Sequence, residues 1–446
     1  MRRRMFAGFF AVALLVRLAI AAKTHAFTRF QRSEMEVIAL NVAQFGDYSL
    51  FDTPTAHCTP VFPLLLAGIF SLCGTGLLAQ TVSVTLACAV SALRCGLVPL
   101  FALDAGFDRR TALLAGGLSA VYIGSVETEV SGGVDGPFVA IALLVLIWAA
   151  MRMWRDRSWQ TRTPWWFFAF CGFSVLLNPI LLPVIGGLLL AGAVACPTIE
   201  RPRYGLQTML VGLGILVFLL PWSIRNYLVL GSPIFTRSNF GLEFWVSNGP
   251  DRSFDISVNY HQFHPSSNPP EAAKVGDLGE VEYNRVKLAE AMQWVRKHPA
   301  DFLRLTAIRV AAWWFPPRPS IVLVPKLVLT LLAFAGLWLM FQRQPLSAWL
   351  FLITWATFPD VHYLVQWIGR YRTPMDWQML LCAALALSAA WQAAVRFRRE
   401  QAGSRTDARN QPDGPNATAF ESAFIGGPRS FRGVLRGSQH VMMGRR

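Results

Sequence analysis

Glu34 and Glu36 stand two residues apart in a chain that carries only 26 acidic residues among 446, inside the stretch 32–63 that separates a first apolar run from the next apolar block. A carboxylate there can take the proton of an attacking hydroxyl or amine. Acids two apart do not share a helix face, so at most one of them points into a common site. A third acid, Asp135, lies in Ser131-Gly132-Gly133-Val134-Asp135-Gly136-Pro137, where an apolar run begins. The flanking glycines allow close approach of a ligand to the backbone, and the same position suits a plain helix N-cap. His57, Arg225, Arg370, Tyr371 and Arg372 supply the complementary groups. Guanidinium forks bind phosphate oxygens bidentately and stay charged near a membrane. These arginines also have simple structural uses, Arg225 as a snorkelling side chain and the Arg370–Arg372 stretch as an interfacial anchor. Read together, the groups suit transfer from a phosphate-bearing lipid: a carboxylate accepts the proton while arginines stabilise the departing phosphate.

The elements that must position these groups are apolar helices. Hydrophobic residues make up 54% of the chain and charged residues 15%, with apolar runs recurring from residue 5 to about residue 395. That combination defines an all-α polytopic membrane protein. The net charge of +15 does not signal nucleic acid, because the arginines cluster at the ends of apolar runs, where they set orientation in a bilayer. Five of the seven cysteines lie in or beside apolar runs; Cys58 and Cys73 are the two placed to form an external bridge.

Arg2, Arg3 and Arg4 put the N-terminus inside, so the first external loop, 23–76, faces out. The block 60–73 is too short for a comfortable span and reads as an interfacial or re-entrant helix. Spans are then expected near 77–103, 111–128, 136–152, 165–178, 180–196, 207–228, 320–341, 346–360 and 374–395, about ten in all with the first. This register keeps the arginine clusters at 109–110, 152–157, 201–203 and 396–399 inside. It divides the chain into an N-terminal membrane core (1–228), an external segment (229–318), C-terminal membrane helices (319–396) and a disordered cytoplasmic tail (397–446). Within the external segment, 251–279 reads as loop and 280–309 as helix.

Motifs in sequence order carry a resemblance. Ser33 to Leu40, then Gly46-Asp47-Tyr48-Ser49 and Pro54 to Leu64, resemble the start of the polytopic GT-C glycosyltransferases. The closer likeness is to the family 39 group, which includes protein mannosyltransferases and the lipid A aminoarabinose transferase. Pro221 to Tyr227, Asn239-Phe240-Gly241 through Asn248-Gly249-Pro250, Trp294 with His298-Pro299, and Gly369 to Pro374 are similar to further family patterns. The resemblance implies a polyprenyl-phosphate sugar donor, inversion at the anomeric carbon, and a site facing the periplasm of a bacterial inner membrane. The acceptor, whether lipid, glycan or protein, is left open, as is a divalent metal ion near the acids. Carried over residue by residue, it makes Glu34, with Glu36 as the alternative, the base and Asp135 a second catalytic acid. Arg225, Arg370 and Arg372, with Tyr371 and His57, would hold the carrier phosphate. The chain departs from the pattern at Ser33, where an acid is usual, and at Cys58, where an arginine is usual. Two other readings stay open: a transporter or flippase of lipid-linked sugars, and a catalytically degenerate homologue.

Overall fold

The computed structural model describes residues 1–30, 33–122, 124, 126, 129–156, 165–315, 323–365 and 367–409. The chain forms two compact units, Met1–Gln392 and Ala393–Arg446. Helices dominate. The first half runs α1 (Arg2–Lys23), α2 (Glu34–Phe45), α3 (Val61–Cys73), α4 (Leu77–Asp104), α5 (Arg109–Val121), α6 (Gly136–Arg155), α7 (Trp165–Leu177), α8 (Leu181–Ala195) and α9 (Arg201–Leu230). A two-residue pair, β1 (Ser49–Leu50) against β2 (Thr53–Pro54), closes a hairpin in the first loop. The second half runs α10 (Phe240–Ser247), α11 (Ile256–Phe263), α12 (Pro269–Leu278), α13 (Glu280–Lys297), α14 (Pro299–Trp314), α15 (Leu323–Arg343), α16 (Pro345–Thr357), α17 (Asp360–Leu364) and α18 (Asp376–Arg409).

Among the described residues six helices, built on α1, α4, α6, α9, α15 and α18, are long and apolar enough to cross a membrane. The other expected spans are shorter: α5, α7 and α16 have 13 residues each and α8 has 15. At about 1.5 Å per residue they reach roughly 20 Å, against a hydrocarbon core of about 30 Å. By length the described residues therefore supply six spans rather than about ten. α3, also 13 residues, is bounded by Pro60 and by Gly74, whose φ of 73° ends the helix.

Four expectations are corrected outside the membrane helices. The stretch 251–279 is not loop throughout, because Asp255 and Asn268 each cap a helix with a side-chain oxygen and so start α11 and α12. The expected single helix 280–309 breaks at His298, where Pro299 begins α14. The expected disordered tail is helical from 397 to 409, in a run rich in Ala, Arg, Gln and Glu that propagates α18; its remainder lies outside the described residues. The expected Cys58–Cys73 bridge is absent, both thiols being free.

The core lies where α4, α16 and α18 meet, with Phe101 stacked on Phe351 (5.9 Å) and Trp377 edge-on to both (5.3 and 5.5 Å). Arg17, which interrupts the apolar run of α1, is fully buried. Its guanidinium donates to Ser91 and to the Ala120 carbonyl, and pairs with Glu129 at 3.0 Å. Arg94 of α4 reaches the other oxygen of Glu129 at 2.6 Å. An arginine inside a spanning helix survives this way, by ion pairing across the bundle interior.

Candidate functional site

The cavity that collects the chemistry has a volume of about 170 Å³ and draws its walls from α2, the loop 57–58, the start of α6, residues 237–243 and the turn 370–374. Glu34, His57, Glu129, Asp135, Arg237, Glu243 and Arg370 bring its charges, Glu129 being the acid paired with Arg17 and Arg94.

Glu34 opens α2. Ser33 caps that helix through a capping box in which its hydroxyl accepts the Glu36 N–H and Glu36 accepts the Ser33 N–H. The box fixes opposite fates for the two acids. Glu36 turns away from the cavity, is 7% exposed, and packs on Gly133, where an added Cβ would meet its carboxylate at 2.6 Å. Burial raises its pKa above the ordinary value, against the lowering effect of the Ser33 hydrogen bonds. Glu34 faces the cavity but is crowded with donors. Tyr260 and Ser266 hydroxyls donate to one of its oxygens at 3.1 and 2.9 Å, and His57 Nε2 lies 3.3 Å from the other. Burial would push Glu34 up, but the His57 and His264 rings and these hydrogen bonds hold it well below the ordinary carboxylate range. Burial likewise works against charge on His57, and Glu34 outweighs it, so the imidazole is raised above its ordinary value.

Asp135 occupies the N-cap position of α6, yet its side chain makes no capping hydrogen bond. One oxygen instead accepts from the Asn178 amide at 2.8 Å and lies 3.8 Å from Arg237 Nη2. Its other oxygen makes no hydrogen bond or ion pair among the described residues. Arg237 follows α9, and its Nε and Nη2 are buried without a hydrogen-bond partner among the described residues. This guanidinium also lines a second cleft of about 560 Å³ that shares Asn239, Glu243 and Tyr371 with the first. In that cleft His362 stacks against Tyr371 at 4.3 Å and Trp313 at 5.5 Å. Burial and the Arg237 cation push it down to about 3, so it is a neutral imidazole at physiological pH.

The cavity thus unites Glu34, His57, Asp135, Arg370 and Tyr371, and omits three of the residues singled out in the sequence. Glu36 lies behind α2, for the reason given. Arg225 donates to the Thr55 and Tyr48 carbonyls at 2.6 and 3.0 Å and stacks on Tyr48 and Trp222. Arg372 is buried and paired with Asp376 at 3.2 Å, with further donation to the Trp313 carbonyl and Thr330. Arg237, Glu243 and His264 were not singled out in the sequence, because nothing in the spacing of 229–318 distinguishes their side chains from those of a wet loop.

Glu34, His57 and His264 place one ligand atom each within 4.8 Å of one another, spacing that a metal ion could bridge. The hydrogen-bond pattern argues against it. The Ser266 N–H donates to His264 Nδ1 at 3.2 Å, which fixes the proton on Nε2, the atom that faces Glu34. His264 therefore offers no lone pair to a metal in this arrangement, and two of the donors around Glu34 already take one oxygen. The residues as arranged do not fit a metal.

The fold is similar to that of an archaeal membrane oligosaccharyltransferase. The oligosaccharyltransferase of Archaeoglobus fulgidus in its apo form superposes with a TM-score of 0.52 at 16% sequence identity, over 89% of this chain and 52% of that one. The same archaeal enzyme tethered to an acceptor peptide bearing an NVT sequon gives 0.50 at 15%, over 88% and 50%. The chain spans about half the length of these solved enzymes. No protein-family profile and no curated protein matches the sequence.

Proposed function

We propose that this chain is a glycosyltransferase that moves a sugar from a polyprenyl-phosphate donor to an acceptor on the external, periplasmic side of a bacterial inner membrane, with inversion. One observation carries the reading: a carboxylate with an unoccupied oxygen, Asp135, stands in the same cavity as a buried arginine with unfilled donors, Arg237. Asp135 is the general base and takes the acceptor hydroxyl proton as the acceptor oxygen bonds to the anomeric carbon. The bond from that carbon to the phosphate oxygen breaks, and the polyprenyl phosphate leaves with the electron pair. Arg237, with Arg370 at the cavity rim and Tyr371 beside it, stabilises the charge gained by the phosphate. Glu34, with the Tyr260 and Ser266 hydroxyls on one oxygen and His57 beside the other, orients His57 and the external segment rather than accepting the proton. The isoprenoid tail lies in an apolar groove of about 670 Å³ on α3, α6 and α7, lined by Phe62, Leu65, Phe138, Ile141, Val145 and Phe173. Phe138 follows Pro137 of the cavity wall, so headgroup and tail sites adjoin.

The test is a transfer assay in nanodiscs with radiolabelled polyprenyl-phosphate sugars and membrane extract as acceptor. Consumption of one donor by wild type, lost in Asp135→Asn and in Arg237→Gln, supports the reading. Turnover that survives in Asp135→Asn overturns the base assignment, and wild type that turns over no donor overturns the transferase reading.

A further inference from the structure

We infer that Glu280, the first residue of α13, is a positioning residue that clamps the two loops carrying His57 and Arg237. The inference rests on the transferase reading for its kinetic consequence and on geometry alone for the clamp. Glu280 is 7% exposed and lies far in sequence from both loops it holds. One of its oxygens accepts the Ala56 N–H at 2.8 Å and the Ser238 hydroxyl at 2.5 Å. The other accepts the Thr55 hydroxyl. That hydroxyl in turn accepts the His57 N–H at 2.9 Å, so the chain of hydrogen bonds ends on the backbone of a cavity residue. The two loops also touch directly, Ser238 N–H donating to the Ala56 carbonyl at 3.0 Å.

Residues adjoining the clamped ones line the cavity: His57 and Cys58 after Ala56, and Arg237 and Asn239 on either side of Ser238. Asn239 closes the circuit with its amide nitrogen 3.4 Å from His57 Nε2. Burying a carboxylate is costly unless donors satisfy it. Here three donors from two loops do so, and no single loop could supply them. The external segment thereby sets the spacing between the imidazole and the guanidinium. A shift of about 1 Å in such a spacing can cost roughly 100-fold in rate.

Two measurements test this on the full chain in nanodiscs. The first is maleimide labelling of Cys58, mapped by mass spectrometry. This thiol is 2% exposed and directly follows His57, so its reactivity reports on the loop whether or not the protein is active. Glu280→Gln and Thr55→Val should each label about tenfold faster than wild type. Glu271→Gln removes another buried acid of the external segment, one bound to Tyr283 and Lys287, and should label at the wild-type rate. The second is the transfer assay, where Glu280→Gln should lower kcat about 100-fold with the donor KM changed less than about threefold, and Glu271→Gln should leave kcat unchanged. Labelling of Glu280→Gln at the wild-type rate overturns the clamp. Faster labelling with kcat intact, or equal losses of kcat in both variants, overturns the positioning role. If wild type turns over no donor, the transferase reading falls and the labelling ratio alone decides whether Glu280 holds the loop.

Discussion

Arg225, in the last turns of α9, holds the loop 55–58 at the Thr55 carbonyl, and Arg237, just beyond that helix, precedes Ser238, whose N–H holds the same loop at Ala56. On the Arg225 side the polar groups satisfy one another: its guanidinium holds two carbonyls and stacks on Tyr48 and Trp222, and Glu280 takes three donors. On the Arg237 side the valences stay open: Nε and Nη2 make no hydrogen bond among the described residues, and Asp135, 3.8 Å from Nη2, has an oxygen to offer. Leaving buried donors unpaired costs about 1–3 kcal/mol per group, which a fold tolerates where a ligand fills them. The contrast separates scaffold from reagent more sharply than residue type does, since both sides are built from arginines and acids.

The contrast breaks most visibly at Asp135. Asp135→Asn keeps the Asn178 contact within reach of an amide oxygen but removes the base, so transfer should fall about 1,000-fold, within the usual range for general bases. Thermal stability should hold to within a few degrees. Steady-state rates and a melting curve on one preparation check both, and a large loss of melting temperature with proportionate loss of rate would make Asp135 scaffold instead.

Next comes the arginine pair itself. Arg237→Gln should lower kcat/KM for the donor about 100-fold, the size expected when one stabilising donor is lost from a departing oxyanion, and should leave the melting temperature nearly unchanged. Arg225→Gln should do the reverse, costing roughly 1–3 kcal/mol by orphaning the Thr55 and Tyr48 carbonyls while changing the rate less than about fivefold. If the two variants behave alike, unfilled valence is not what marks the site.

A smaller effect should appear in pH. Glu34 is held below its ordinary value of 4.5, so its share of stability is present above pH 4.5 and is lost as pH falls through its lower folded value. His57 is raised above its ordinary 6.5, so its share is complete below pH 6.5 and fades as pH rises through its higher folded value. The ion pair therefore contributes most between pH 4.5 and 6.5. Wild type should lose roughly 2 °C of melting temperature between pH 6 and 8.5 from this source, and His57→Gln should flatten that slope. An unchanged slope would show that the ring does not titrate against Glu34.

Much of the scaffold was legible because its signals are local and repetitive. Long apolar runs bounded by arginines mark α1, α4, α6, α9, α15 and α18, and Pro60 and Gly74 mark the ends of the short α3. The short helices α5, α7, α8 and α16 read as spans because apolar character carries no length limit of its own when loops nearby are also apolar. At the site, Glu34, His57, Asp135, Arg370 and Tyr371 stood out as polar groups at the outer ends of apolar runs. Arg225 and Arg372 looked the same by that test. Only three-dimensional contacts show that carbonyls hold Arg225 and that Arg372 pairs with Asp376 outside the cavity lining. Arg237, His264 and Glu280 were illegible for the opposite reason. Each sits in a polar segment where charge is ordinary, and its meaning comes from Asp135, Glu34 or Thr55, far away in sequence.

The smallest expected effect separates the neighbouring acids of α2. Glu36 lies on the far side of the helix from the cavity, its carboxylate accepts the Ser33 N–H at 3.0 Å, and burial raises its pKa above the ordinary value. A glutamine at that third helical position serves a capping box as well as a glutamate. Glu36→Gln should therefore change transfer less than about threefold and stability by less than about 1 kcal/mol. Glu36→Ala removes the box and exposes the Ser33 N–H, which should cost about 1 kcal/mol and loosen the hydrogen bond from the Ser33 hydroxyl to the Gly133 carbonyl, 2.9 Å long and two residues before Asp135. Transfer rates and melting temperatures of the two variants check this order. Were Glu36→Gln to abolish transfer with its fold intact, the acid behind α2 would be the reagent and the open valence at Asp135 would lose its meaning.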